Sequence, residues 1–342
     1  MKLVKLLSCS TVAAMMFIAP QVHAYKVGLA MPTQNEDRWY NEGVLLQNKL
    51  KNAGFDVELF YGGDGDSDLQ NRQIVRLTNL GVNVLVVGAI DGAAMSDSLG
   101  FAKSKGVAVI SYDRLITRTP AVSYYATFDN EMVGHMQGKY LVDKLNLATT
   151  STPKNIELFY GSLTDNNARF FWKGAMDELR PYIQSGQAVI RSGQTTPEEV
   201  NTPDWSTTEA NKRMGELIEK VGYGPGKTRL DGVLCPADCI SSGVLFALKR
   251  NGYDSSNMPV VTGQDAVPEA LDSIENGEQA MTIFKNPNEL CNTIVSMVTN
   301  MSKGQPVEIN DTSTYDNGAK IVDTYLCMPE LIDKSNVAKA RR

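Results

Sequence analysis

Aspartate, asparagine, arginine and lysine recur in this sequence directly after short apolar runs, which places hydrogen-bonding charge at the ends of candidate strands. Asp37-Arg38-Trp39 follows the run ending at Met31, Asp91-Gly92 the run ending at Val87, and Asp113-Arg114 the run through Ser111. Further along, Asp165-Asn166-Asn167 follows Tyr160, Asp238 follows Leu234, Gln264-Asp265 follows Thr262 and Lys285 follows Phe284. A carboxylate accepts from two hydroxyls, an amide donates and accepts, and a guanidinium or ammonium donates to ring and hydroxyl oxygens. That inventory suits a polyhydroxylated ring such as a pyranose, whose C–H faces an aromatic side chain covers; Trp39 and Trp205 are the favoured rings. Several charge-assisted bonds of about 1.5–3 kcal/mol each outweigh an association cost of roughly 4–15 kcal/mol.

Each of these residues also has a plainer reading. Asp and Asn at strand ends cap helices, and Asp37, Asp68 and Asp97 fit that role. Asp113-Arg114, taken alone, reads as a structural ion pair, and Phe170-Phe171-Trp172 reads as core packing. Asp113, Asp238 and Asp265 also have the residue type of glycosidase carboxylates, but that chemistry needs one acid kept protonated. Cations at Arg38, Arg114 and Lys285 favour ionised carboxylates instead, so no catalytic residue is assigned. The recurrence at successive strand ends is what favours a binding site for one polar ring.

The elements that must position these groups alternate along the chain. Strand candidates are Lys26 to Met31, Val57 to Tyr61, Val82 to Val87, Val107 to Tyr112, Ile156 to Tyr160, Ala188 to Arg191, Leu230 to Leu234, Pro259 to Thr262 and Gln279 to Phe284. Their β-branched richness on both faces reads as buried parallel strands. Amphipathic stretches lie between them; Ser67 and Gln70 match a capping box, and glycines such as Gly81 and Gly252 follow the helical segments. Repeated βαβ units give an α/β fold of doubly wound parallel sheets, which bind ligands outside the carboxyl ends of the strands.

Lys2 and Lys5 precede an apolar run from Thr11 to Pro20 that ends in Val22-His23-Ala24, the pattern of a secretion signal cut after Ala24. A lipid-anchored reading at Cys9 fits less well, because the apolar core lies mostly after that residue. Without Lys2 and Lys5 the 33 basic residues become 31 against 39 acids, moving the charge from −6 to −8. No basic stripe is present to release counterions from nucleic acid. A mature length of about 318 residues argues for two lobes. Cys235, Cys239, Cys291 and Cys327 allow up to two disulfides with the pairing open, and Cys235 with Cys239 is a conceivable local bridge. A metal site is disfavoured, because His135 is the only histidine after residue 24 and stands far from these cysteines in sequence. Gly222 to Thr228 lacks the glycine spacing of a phosphate loop and precedes a strand, so it reads as a turn, and no cofactor is expected.

Four segments in order carry a resemblance: Ser111-Tyr112-Asp113-Arg114-Leu115-Ile116, Tyr125-Ala126-Thr127-Phe128-Asp129-Asn130, Asp165-Asn166-Asn167-Ala168 and Gly263-Gln264-Asp265-Ala266. They resemble the periplasmic xylose-binding and multiple-sugar-binding receptor family, from about Tyr25 to near Leu326. The resemblance implies a type I periplasmic-binding fold, two Rossmann-like lobes joined by three crossovers. It also implies a monomer that closes on an aldose and serves an ABC permease, with a chemoreceptor or sensor kinase as a further partner. Ligand contacts carried over from the family fall on Arg38, Asp113, Arg114, Asp165, Asn167, Trp205, Asp238, Asp265 and Lys285, with Trp39 beside them. The xylose-binding pattern has Asn-Asp where this chain has Ala237-Asp238, which argues against strict xylose selectivity. Crossings are expected near Asp129-Asn130, Lys285-Asn286 and Asp311 to Tyr315, giving one lobe from 25–129 with 286–312 and another from 130–285 with 313–342. A transcription regulator of the same core would carry an N-terminal DNA-binding segment where this chain has its signal and first strand.

Overall fold

The computed structural model describes residues 25–63 and 65–341, apart from the Asp37 side chain. The secretion signal, Cys9, the cut after Ala24 and capping by the Asp37 carboxylate lie outside what is described. The chain opens with β1 (Lys26–Met31), α1 (Asp37–Asn52), β2 (Asp56–Tyr61), α2 (Ser67–Asn79), β3 (Val84–Val87), α3 (Ser96–Ser104), β4 (Ala108–Tyr112) and β5 (Tyr124–Phe128). It continues through α4 (Asn130–Lys144), β6 (Lys154–Leu158), α5 (Asn166–Gln184), β7 (Ala188–Val189), α6 (Pro197–Val200), α7 (Thr207–Val221), β8 (Gly232–Leu234), α8 (Asp238–Arg250), β9 (Val260–Val261), α9 (Pro268–Glu275) and β10 (Met281–Phe284). Last come α10 (Pro287–Ser302), β11 (Thr324–Cys327) and β12 (Glu330–Asp333).

Two sheets result. The first has the order β11-β5-β4-β3-β1-β2, all parallel. Its central strands are apolar on both faces because helices cover both; every residue of β3 is buried. The second runs β7-β6-β8-β9, and β10 continues it: Ala280 N donates to Val261 O at 3.0 Å and Ile283 N to Gly263 O at 3.1 Å. β12 then pairs antiparallel with β10. The two sheets therefore share one strand order and differ in the direction of the last strand.

Helix ends follow from local chemistry. Pro287 opens α10 behind Asn286, whose side chain accepts from Asn288 N at 3.1 Å, and Leu290, Cys291, Ile294, Met297 and Val298 form its buried stripe. The capping box expected at Ser67 and Gln70 is replaced: Asp66 caps α2 by accepting from Leu69 N at 2.7 Å. Gln70 is buried, donating to Gly88 O at 2.8 Å and accepting from Ile90 N at 2.9 Å, so it ties α2 to the loop after β3. Helices α4 and α5 meet backbone to backbone, for a Cβ on Gly134 would stand 2.0 Å from Phe171 O.

The first two passages between the sheets fall at Asp129, between β5 and α4, and at Lys285-Asn286, between β10 and α10. The third differs from the sequence expectation. Asp311 bridges Thr324, Tyr315 and Val322 are buried in the first core, and β11 pairs with β5. The chain leaves the first lobe between Cys327 and Glu330, not near Asp311 to Tyr315; short β11 has no apolar run long enough to announce it in sequence.

Candidate functional site

Beyond the carboxyl ends of both sheets lies a cavity of about 330 Å³. It is lined from the first lobe by Glu36, Arg38, Trp39, Asp113 and Arg114. The second lobe supplies Asp165, Asn167, Phe171, Asp204, Trp205, Ala237, Cys239, Gln264, Asp265, Val267 and Lys285. An outer chamber of about 720 Å³ continues from it past Glu36, Arg114, Asp165, Asp204 and Trp205 toward Thr33, Gly65 and Thr164. Nine of the ten residues singled out in sequence thus share one cavity.

The first wall is a fixed array of charge. Arg38, in the first turn of α1, donates from Nη2 to Asp113 Oδ2 at 2.8 Å and from Nε to Glu42 Oε1 at 3.0 Å. Tyr112 OH donates to Glu42 Oε2 at 2.7 Å, and Arg114 Nη1 donates to Ala89 O at 3.1 Å. Trp39 is only 1% exposed, with the guanidiniums of Arg38 and Arg114 at 4.6 and 5.1 Å from its ring. This ring supports two cations and does not present an open face, a correction to its expected stacking role. Asp113 adopts φ 60°, a left-handed turn that Asp tolerates. Its buried carboxyl would be raised by desolvation, yet Arg38, Lys285 and Arg114 outweigh that and hold it at about 2. The plainer reading of Asp113-Arg114 as a mutual ion pair does not hold: Asp113 pairs with Arg38, and Arg114 Nε stands 3.7 Å from Asp165 Oδ2 on the other lobe.

The second wall comes from loops and the N-terminal turns of α5 and α8. Asp165 caps α5, accepting from Asn167 N at 2.9 Å. Asn167 is buried; its Nδ2 donates to the Asp113 carbonyl at 3.0 Å, and Tyr125 OH lies 3.2 Å from its Oδ1. Trp205, half-buried at φ 57°, lies against Gly161, where a Cβ would fall 2.2 Å from the indole. Lys285 Nζ approaches Asp265 Oδ1 at 3.1 Å, and Arg38 Nη1 lies 4.0 Å from the same oxygen. The Lys285 pair is an ion pair without hydrogen-bond alignment, so Asp265 Oδ1 has no hydrogen-bond partner; Asp113 Oδ1 and Gln264 Oε1 are equally buried and unmatched. Buried acceptors of this kind call for donors.

Asp238 is the residue that the structure withdraws. Its carboxylate accepts from Gln279 Nε2 at 2.9 Å, Thr282 Oγ1 at 2.9 Å and Val267 N at 3.1 Å, inside the second lobe. Ala237 and Cys239 on either side of it reach the cavity, while Asp238 itself is not on the wall. Sequence reasoning missed Phe171, read only as core with Phe170 and Trp172, and Asp204. Phe171 is 3% exposed and does pack in a core cluster, but it also lines the cavity with Lys285 Nζ at 5.9 Å from its ring. Its place one helical turn after Asn167 is the signal that could have found it.

Cys235, Cys239, Cys291 and Cys327 are free, so neither the Cys235 to Cys239 bridge nor any other disulfide forms among them. Gly222 is the left-handed cap of α7 and the following segment is a turn, as its sequence implied. Glu131, His135 and Asp177 bring ligand atoms within 4.8 Å on α4 and α5, but the Lys173 ammonium bonds both Glu131 and Asp177, making this an ion cluster between helices. Among the described residues no helix is long and apolar enough to cross a membrane.

Comparison with known proteins points to one family. The sequence profile of the periplasmic binding protein domain matches residues 27–306. The multiple sugar-binding periplasmic receptor ChvE of Rhizobium radiobacter is 42% identical over 98% of this chain and 95% of its own length. The D-xylose-binding periplasmic protein of Escherichia coli is 30% identical over 97% and 94%. A crystal structure of an ABC transporter solute binding protein from Clostridium phytofermentans with bound β-D-glucose superposes with a TM-score of 0.87 at 44% identity, covering 92% of this chain and 95% of that one.

Proposed function

The chain belongs to the periplasmic binding protein domain family, and from that premise we propose that it is the substrate-binding component of an ABC-type monosaccharide importer. It takes an aldopyranose of the xylose, glucose, galactose or arabinose type between its lobes and delivers it to a membrane permease. The observation that carries this reading is the set of buried acceptors Asp113 Oδ1, Asp265 Oδ1 and Gln264 Oε1 on the wall of a cavity whose cations are Arg38, Arg114 and Lys285. A ring of hydroxyls donates to the first set and accepts from the second. The volume lies at the small end of the range for ligand sites, about 300–1,000 Å³, as a monosaccharide requires.

The closing bodies in this reading are residues 25–129 with 286–328, and 130–285 with 329–341. Ligand touching both walls stabilises the closed arrangement, and the permease responds to that difference. The protein performs no catalysis: Asp113 is held ionised by its cations, and Asp238, the carboxyl with raised pKa, faces away from the cavity. Secretion uses the leader through Ala24. Titration with xylose, glucose, galactose, arabinose and ribose tests the proposal, read by calorimetry and by indole fluorescence. Saturable binding of several aldopyranoses and weak binding of ribose are expected; no binding of any aldose, or turnover of aryl glycosides, overturns it.

A further inference from the structure

Phe170 belongs to α5 of the second lobe, yet its side chain packs within the core cluster of the first. Its ring centroid lies 4.9 Å from that of Tyr315, which in turn lies 5.1 Å from Tyr125 in edge-to-face contact. All three are buried, with Tyr315 at 1% and Phe170 at 7% exposed. None of the three lines the cavity. Tyr125 extends the same contact into polar chemistry: its hydroxyl donates to the Asp113 carbonyl at 2.7 Å and reaches Asn167 Oδ1 at 3.2 Å. Thr127 Oγ1 and Asn167 Nδ2 donate to that carbonyl as well, both at 3.0 Å. One backbone oxygen of the first lobe therefore collects donors from both lobes, and Tyr125 links it to an aromatic contact that also spans them.

We propose that Phe170, seated on Tyr315, which Tyr125 backs, is a positioning residue that stabilises the closed arrangement whichever aldose is bound. Burial of the Phe170 ring in tilted contact with Tyr315 contributes apolar area and ring packing across the lobes, and neither depends on the sugar's hydroxyls. The apparent dissociation constant of a closing receptor is the intrinsic one divided by the fraction of closure-competent molecules. An element that favours closure without touching ligand therefore scales every affinity by one factor and leaves the order of sugars unchanged. Residues on the cavity wall do the opposite, since each meets particular hydroxyls. This inference rests on the reading of the cavity as an aldose site.

The test compares wild type, Phe170→Ala and Phe170→Leu in the mature protein. Calorimetry is run with glucose, galactose, xylose and arabinose, small-angle scattering is measured without sugar, and circular dichroism checks folding. Phe170→Ala is expected to weaken every sugar by the same factor, on the order of ten-fold, and to enlarge the radius of gyration without sugar. Phe170→Leu, which keeps apolar volume, shifts both in the same direction by less. Unchanged affinity and radius in a folded Phe170→Ala overturn the proposal. So does a reordering of sugar preference, which would make Phe170 a ligand contact. Should Phe170→Ala fail to fold, Phe170→Leu decides on the same two readings. A wild type that binds no aldose defeats the aldose reading itself, while the radius of the sugar-free variants still reports on the seat.

Discussion

Asp113 and Asp238 invite direct comparison. Each follows a parallel strand, β4 in one lobe and β8 in the other, and each is 2% exposed. Their titrations nevertheless diverge. Around Asp238 burial raises the pKa, the neighbouring Asp265 charge adds to it, and bonds from Gln279, Thr282 and Val267 N recover only part, leaving it at about 7. Around Asp113 burial acts in the same sense but Arg38, Lys285 and Arg114 overcome it. The difference teaches that a strand-end aspartate becomes a charged cleft group only where cations from other elements converge on it. Without them it turns inward and becomes a polar knot, here joining α8, the loop before α9 and β10.

The most damaging test of that contrast is Asp113→Ala, which leaves Arg38 with Glu42 as its remaining hydrogen-bonded carboxylate and removes the charge on which Arg38, Lys285 and Arg114 converge. Aldose affinity measured by calorimetry is expected to fall by about 2–5 kcal/mol. Asp238→Asn, by contrast, should leave affinity within about threefold of wild type, well under 1.4 kcal/mol. A loss from it equal to that from Asp113→Ala would erase the distinction.

Stability against pH sharpens the same comparison. The Asp238 pKa is raised on folding, so its contribution is fully present below about pH 3.9 and is lost as pH rises through about 7, on the order of 4 kcal/mol in all. Asp113 has the opposite sign: its contribution, on the order of 2 kcal/mol, is present above about pH 3.9 and is lost as pH falls through about 2. Urea unfolding between pH 4 and 8 should show wild type losing ground to Asp238→Asn as pH rises; a constant difference would contradict the assignment. The smallest effect is expected at Asp66, an aspartate that only caps. Asp66→Ala should lower unfolding stability by about 1 kcal/mol and leave aldose affinity alone.

Much of the fold can be read along the chain, because β1, β3 and β4 are predominantly apolar and alternate with amphipathic helices. β5 lies inside one of the motifs that carry the resemblance without reading as a strand by itself, β11 is met only as the last strand region of that resemblance near Leu326, and β12 has no strand signal of its own. The pairing partners of β11 and β12, Tyr125 for Thr324 and Met281 for Asp333, lie far away in sequence. The site shows the same limit. The cavity-lining residues Arg38, Asp113, Arg114, Asp165, Asn167, Asp265 and Lys285 are legible because polar types recur where strands end, and Trp205 as an aromatic ring that the resemblance also marks. The inward turn of Asp238 is not, since it depends on Gln279 and Thr282 more than forty residues downstream. Nor is the covering of Trp39, which depends on Arg114 arriving from another strand.

The return of the chain to the second sheet through β12 separates the two ends of the described chain. Tyr25 precedes the first strand of one lobe, while Arg341 is clamped by Asp272 and Glu275 of α9 in the other. Fluorophores attached at these two points would ride on different bodies. Their energy transfer would follow sugar concentration in real time, so the topology itself supplies the wiring of an optical sensor.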